Sequence, residues 1–146
     1  MSEQFPDDAA IERVVLGFAD RTLPKAQWTH AAHFATTLWL LRRRPDLDLR
    51  TALPPMIRAY NASVGGVNSD TEGYHETITQ VSIAAAREFL GRFTADRPLH
   101  SVLRDLLDSS LGRSGWILDY WSRGRLFSIE ARRGWVEPDL KPWQGA

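Results

Sequence analysis

The residues best suited to chemistry in this 146-residue chain are its four histidines, because the sequence contains no cysteine. The lack of cysteine excludes disulfide bonds, a thiolate nucleophile and thiolate metal ligands. His30 and His33 stand three residues apart in the segment WTHAAH, and His75 directly precedes Glu76. On a helix, side chains three residues apart share one face and lie about one turn apart, close enough to hold one ion.

If neighbouring helices carry them, His30, His33 and His75 converge. Three imidazoles and a water form the open arrangement of catalytic zinc. A carboxylate from Glu72 or Glu76 in place of one imidazole gives the ligand set of non-haem iron. The sequence therefore predicts a site for one divalent metal (zinc, iron, manganese or nickel), with Glu76 as ligand, orienting group or general base.

Two alternatives explain the same histidines without a metal. An imidazole beside Glu72 or Glu76 can act as a general acid or base, because its pKa lies near neutrality. Buried histidines can also simply satisfy their hydrogen bonds in the core. The first alternative predicts a small-molecule pocket between the second and fourth helices, lined by the histidines, Tyr60 and the loop 61–68. His100 faces away from the apolar stripe of its helix and is predicted to lie at the surface.

Arginines are concentrated in the C-terminal quarter beside tryptophans. The acidic residues mixed into this segment argue against stacking of single-stranded nucleic acid on these tryptophans, and two interpretations of the arginines remain. The arginines are Arg123, Arg125, Arg132 and Arg133. In the first, they form ion pairs with nearby carboxylates while the aromatic residues close the end of the bundle. In the second, an arginine, Arg125 first, holds the carboxylate or phosphate of a small anionic substrate near the histidines. Arg125 and Tyr60 are therefore candidate substrate-binding residues.

The elements that must position these residues are helices. Apolar residues at helical spacing predict helices over 7–20, 24–44, 49–60, 72–93 and 98–109, with short helices over 116–121 and 128–133. Residues 30–41 are apolar on nearly all sides, which predicts a buried central helix, and Thr29 either caps this helix or lies inside a longer one. Pro54 and Pro55 fit only a first turn, so the regular part of the third helix is expected to begin near Leu53. The run from Asn61 to Thr71 predicts a loop.

The predicted fold class is all-α: a single-domain helical bundle of five or more helices over residues 1–146, with an irregular C-terminal tail. Lys and Arg balance Asp and Glu at 18 each, which argues against binding to nucleic acid or anionic lipid. Residues 31–41, the most apolar stretch, are far shorter than the ~20 residues of a membrane span. The acidic start lacks a secretory signal, so we expect a cytoplasmic protein. The six tryptophans leave a protein-interaction module or a homodimer open.

Three segments together resemble a group of small bacterial proteins to which no activity is assigned. In that group, W-T-H-x-x-H, G-Y-H-E-T and R-L-F-S segments occur in this order over a similar length. Here they are Trp28 to His33, Gly73 to Thr77 and Arg125 to Ser128. The resemblance covers nearly the whole chain, and it implies no reaction.

Overall fold

The structure of the protein, a computed structural model, describes residues 4–143. This range is helical, with no strand in it, which confirms the predicted all-α bundle with a C-terminal tail. The ends of the predicted domain, residues 1–3 and 144–146, lie outside the described range. No helix within residues 4–143 has the length and apolar character needed to cross a bilayer.

The described part of the chain contains seven α-helices and three 3₁₀ turns, joined by loops. The α-helices are α1 (Asp8–Ala19), α2 (His30–Arg43), α3 (Leu49–Ser63), α4 (Glu76–Leu90), α5 (Leu99–Asp108), α6 (Arg123–Leu126) and α7 (Ile129–Arg133). The 3₁₀ turns are Lys25–Gln27, Ser110–Gly112 and Trp116–Asp119.

Helix α2 is the central element, as its apolar composition predicts. It packs against α1, α4 and α5, and half of its residues are buried. Thr29 caps it, because the Thr29 hydroxyl accepts the N–H of Ala32 at 3.1 Å. The second predicted helix is thus divided into a 3₁₀ turn and α2, since the Thr29 cap starts a new helix after the turn.

Helix α3 begins at Leu49 rather than near Leu53, so both prolines lie inside it. Pro54 has no N–H for the Arg50 carbonyl, and the side chain of Gln80 replaces it by donating from Nε2 to Arg50 O at 3.0 Å. The carbonyl that Pro55 leaves free belongs to Thr51, an exposed residue that water reaches. A contact from α4 therefore permits a helix that the prolines alone argue against.

Several other elements also differ from the sequence prediction, including the end of α3, which lies at Ser63 instead of Tyr60. Helix α4 starts at Glu76 instead of Glu72, because His75 caps it, and it ends at Leu90. The predicted helix at 116–121 is a 3₁₀ turn, and α6 is an additional short helix. Ser128 caps α7 through the N–H of Ala131, as predicted.

His100 is half-buried at the surface, and its ring makes a structural contact that the sequence did not predict. Its ring Nδ1–H donates to Asp8 at 2.7 Å. The same carboxylate accepts the backbone N–H groups of Leu99 and His100 and so caps α5 from α1. This contact lowers the pKa of Asp8 against the opposing effect of burial.

Candidate functional site

A pocket of about 630 Å³ lies where α2, α3 and α4 meet the loop 64–75 and the 3₁₀ turn Trp116–Asp119. This volume lies within the range of small-molecule sites. Its walls are largely apolar and aromatic, and His30, His33 and His75 all contribute to them. The helices therefore bring the three histidines to one pocket, as the sequence predicted. What the pocket can bind depends on which ring nitrogens already have a hydrogen-bond partner.

His33 is exposed to the pocket and makes no hydrogen bond through its ring within residues 4–143. Its ring packs on Trp28, with centroids 4.1 Å apart and planes 30° apart. Although the ring is accessible, protein atoms surround it on most sides. This desolvation, together with the nearby His30, lowers the pKa of His33 to about 4. At neutral pH the pocket thus contains an uncharged imidazole with a free nitrogen lone pair.

His30 lies one turn earlier on the same helix and has one ring nitrogen engaged. Its Nε2 lies 2.8 Å from Leu111 O. A carbonyl oxygen only accepts, so Nε2 carries a hydrogen and donates it, and Nδ1 is left for another partner. The ring also meets Phe34 edge to face. His30 is therefore held in one orientation by the segment that follows α5.

His75 uses both ring nitrogens for structure. Its Nδ1 accepts the N–H of Ile78 at 3.1 Å and so caps α4. Its Nε2 donates to Leu126 O at 2.6 Å, which ties the start of α4 to the end of α6. Burial lowers the pKa of His75, consistent with the neutral ring that this bonding requires.

No group of three His, Cys, Asp or Glu side chains within residues 4–143 has the geometry to hold a metal ion. His75 would have to give up its helix cap or its bond to Leu126 to supply a lone pair. The predicted metal site at His30, His33 and His75 therefore stays a prediction.

The other predicted site residues lie outside the pocket lining. Glu76 accepts a hydrogen bond from the Tyr74 hydroxyl at 2.5 Å and another from Gln80. Tyr60 is fully buried, and its hydroxyl donates to Leu23 O at 2.8 Å. Arg125 is exposed, and its Nε donates to Glu137 O at 2.7 Å. Of the two candidate carboxylates, Glu72 is the one on the pocket wall.

The loop 64–75 closes one side of the pocket and is fixed by long-range contacts. The amide of Asn68 bonds three groups: it accepts from the backbone of Tyr74 and from Asn61, and it donates to Arg58 O. Arg132 donates to Gly73 O at 2.9 Å, and Arg133 pairs with Asp70 at 2.7 Å. Two of the four C-terminal arginines thus hold the pocket loop, instead of facing into the pocket.

The sequence prediction did not include several hydroxyl and aromatic side chains that line the pocket, among them Thr36, Ser82 and Trp28. Thr36 is 1% exposed, and its Oγ1 has no hydrogen-bond partner within the described range. Ser82 contributes to the wall from α4, and it too makes no side-chain hydrogen bond there. Trp28 covers one face of His33. The signal for Thr36 was available, because a threonine three residues after His33 on an apolar helix shares its side of that helix.

Comparisons with known proteins found no relative of this chain. No family model, no curated protein and no solved structure matches the chain. The resemblance to the small bacterial proteins with the three segments stays a prediction.

Proposed function

We propose that the protein binds a small uncharged organic molecule in the pocket between α2, α3 and α4. The observation that carries the proposal is the unused hydrogen-bonding capacity inside an apolar cavity. His33, Thr36 and Ser82 all line the pocket, and none of their side chains has a hydrogen-bond partner among residues 4–143. Of the three, Thr36 is buried, and buried polar groups are normally satisfied. His33 is exposed and Ser82 half-buried at the pocket wall. An apolar pocket with a few polar groups is typical of a ligand site.

The charge of the pocket wall favours a neutral ligand over the anion expected from the arginines. Lys25 and Glu72 supply one charge of each sign, and His33 is uncharged at neutral pH. Arg125, Arg132 and Arg133 are engaged elsewhere with Glu137, Gly73 and Asp70. The pocket therefore offers no concentrated positive charge for a carboxylate or phosphate.

Two small molecules that share a phenyl ring but differ in charge test this proposal: benzamide is neutral, and benzoate is an anion. Benzamide and benzoate are titrated up to 20 mM, in EDTA and at constant ionic strength, while backbone amide shifts are followed by NMR. We expect saturable binding of benzamide, with shifts confined to pocket residues, and at least about threefold weaker binding of benzoate because carboxylate desolvation is uncompensated.

Two matched variants locate the binding. Ser82→Phe fills the pocket and should abolish saturable binding, whereas Ser110→Phe adds the same ring at an exposed position outside the pocket and should leave it unchanged. Tighter binding of benzoate would restore the anionic substrate as the better proposal. If Ser82→Phe left benzamide binding unchanged, the binding site would lie outside this pocket and the proposal would be wrong.

A divalent metal is the second candidate, and the orientation of His30 favours it. Metal-binding histidines usually donate their second ring nitrogen to a carbonyl or a carboxylate. His30 does so to Leu111 O, which leaves its Nδ1 beside the unpartnered His33. These two rings would hold the metal, with Glu72 as the carboxylate on the same wall.

Metal content measured on untagged protein separates the two candidates. The protein is purified after supplementation with zinc, iron, manganese or nickel in turn. The metal candidate expects one equivalent of a single metal, lost in His33→Phe and retained in His100→Leu. Substoichiometric content of all four metals would remove this candidate and leave the neutral-ligand proposal untouched.

A further inference from the structure

Three aromatic rings form a continuous stack that ends in the pocket. Phe18 and Trp28 are almost parallel, with centroids 4.4 Å apart and planes 8° apart. Trp28 then contacts His33 at 4.1 Å and 30°. Phe18 is 1% exposed, so the stack begins in the core, and it ends at a ring that is accessible from the pocket.

The position of His33 at the end of this stack is fixed by its neighbours. Its backbone N–H bonds to Thr29 O at 3.0 Å, and its carbonyl accepts the hydroxyl of Thr37 at 2.9 Å. Trp28 is itself held from two sides, by Phe18 and by Tyr60, whose ring centroid lies 5.3 Å away. The stack is therefore organised before any ligand arrives, so a ligand would lose little affinity to ordering it.

The accessible surface of His33 belongs to the open face and edge of the ring, because Trp28 covers the opposite face. The walls that α3 and α4 contribute include three aliphatic side chains, Leu53, Ile57 and Ile78, beside the polar Asn61, Thr79 and Ser82. An open aromatic face in a cavity with partly aliphatic walls favours a flat ring, which gains offset stacking in addition to the burial of its area.

We infer that the ligand of this pocket contains a planar aromatic or heteroaromatic ring, which stacks on the open face of His33 and extends the row Phe18–Trp28–His33 by one ring. The inference rests on the proposed function, because it names the class of molecule that the pocket takes. It predicts that ring planarity, and not ring size alone, decides affinity.

Benzamide and cyclohexanecarboxamide provide the test, because they have the same amide and the same number of heavy atoms. Both are titrated by NMR into the full-length protein and into His33→Phe, His33→Leu and His100→Leu. Phenylalanine retains a flat ring against Trp28, leucine retains an apolar side chain without one, and His100 lies outside the pocket. Circular dichroism and the melting temperature establish that each variant is folded.

We expect benzamide to bind about threefold to tenfold more tightly than cyclohexanecarboxamide. This preference should persist in His33→Phe and His100→Leu and should disappear in His33→Leu. The ring protons of bound benzamide should move upfield in the first two variants, because they lie over an aromatic face.

The results that would overturn the stacking inference differ from those that would overturn the proposed function. Equal affinities of the two amides, or a preference that His33→Leu leaves intact, overturn the stacking inference while the pocket remains a binding site. Loss of the preference in His33→Phe as well also overturns it and assigns the role of His33 to its ring nitrogen. No saturable binding of either amide removes the stacking inference together with the proposed function.

Discussion

The ring nitrogens of the three pocket histidines have different partners, although all three side chains reach the same cavity. His75 is bonded at both nitrogens, His30 at one, and His33 at neither within the described residues. Only a ring with a free nitrogen and an open face can meet a ligand without breaking a structural bond. Among the three histidines, His33 is therefore the one whose ring is free to meet the ligand of the proposed function.

Stability should decrease on mild acidification because His33 is held neutral. The pKa of His33 is lowered to about 4, from an ordinary value of 6.5. Between these values the unfolded chain binds more protons than the folded chain, so the free energy of unfolding decreases as the pH falls. His75, whose pKa burial also lowers, acts in the same direction.

Chemical denaturation at pH 7.5 and pH 5 measures this effect. Because the accessible side of the His33 ring remains solvated, the effect is smaller than the full pKa shift implies. We expect the titration of His33 to lower the free energy of unfolding by about 1 kcal/mol between pH 7.5 and pH 5. His33→Phe should show a smaller pH dependence by that amount. Identical pH dependence in the two proteins would show that His33 titrates normally.

At the scale of elements, α3 depends on α4 for a hydrogen bond that its own sequence cannot make. Gln80→Leu removes the donor to Arg50 O, and we expect it to cost about 1 kcal/mol in the free energy of unfolding. Part of this cost is specific to Pro54, because an alanine there would provide its own N–H to Arg50 O.

A double-mutant cycle isolates this part. Gln80→Leu, Pro54→Ala and the double variant are compared by chemical denaturation, and the cost of Gln80→Leu should be smaller in the Pro54→Ala background. Additive effects would mean that Gln80 stabilises the protein only through its other contact, with Glu76.

The loop 64–75 depends on a glycine at one position. Gly73 has φ +82°, and an added Cβ would collide with Val67 O and lie 2.8 Å from the Cα of Asn68. We expect Gly73→Ala to cost about 2 kcal/mol or more, because it combines backbone strain with a backbone collision. It should also weaken benzamide binding, since Val67 and Gly73 line the pocket.

Gly65→Ala is the matched control for the loop. Gly65 has φ +87°, but an added Cβ meets no atom within 4 Å, so only the strain of about 1 kcal/mol remains. Thermal unfolding compares the two variants. Equal losses of stability in Gly73→Ala and Gly65→Ala would show that backbone strain, and not the collision with Val67 and Asn68, accounts for the cost at Gly73.

At the scale of the whole molecule, the C-terminal tail is part of the bundle. Thr77 is fully buried at the start of α4, where its hydroxyl donates to Gly134 O at 2.8 Å and accepts from the Val136 N–H at 3.2 Å. Trp121 adds a bond from its indole to Val136 O at 3.0 Å. The tail thereby reaches the same end of α4 that carries His75.

Thr77→Val preserves the shape of the side chain and removes both hydrogen bonds to the tail. We expect a loss of about 2 kcal/mol in the free energy of unfolding, because two backbone groups lose their partner. Acrylamide quenching of tryptophan fluorescence should increase as Trp135 and Trp143 become more accessible. Thr51→Val, at an exposed site on α3, should change stability by less than about 0.5 kcal/mol, and an equal loss there would contradict a specific role for the tail contact.

The amino-acid sequence alone was sufficient to predict the all-α class, most of the helices and the central position of α2. Helical periodicity and a cap such as Ser128 act within a few residues, so local chemistry indicates them. That His75 meets His30 and His33 was conditional on which helices are neighbours.

Which ring nitrogens are free, and which groups the arginines hold, depends on the packing of distant segments. The partners of His30 and His75 are the carbonyls of Leu111 and Leu126, and Arg132 reaches Gly73, all more than 50 residues away along the chain. The same holds for the start of α3, which depends on Gln80 from another helix. Side-chain spacing along a helix defines a face, but the atom that meets each side chain across the bundle depends on how the helices and loops pack.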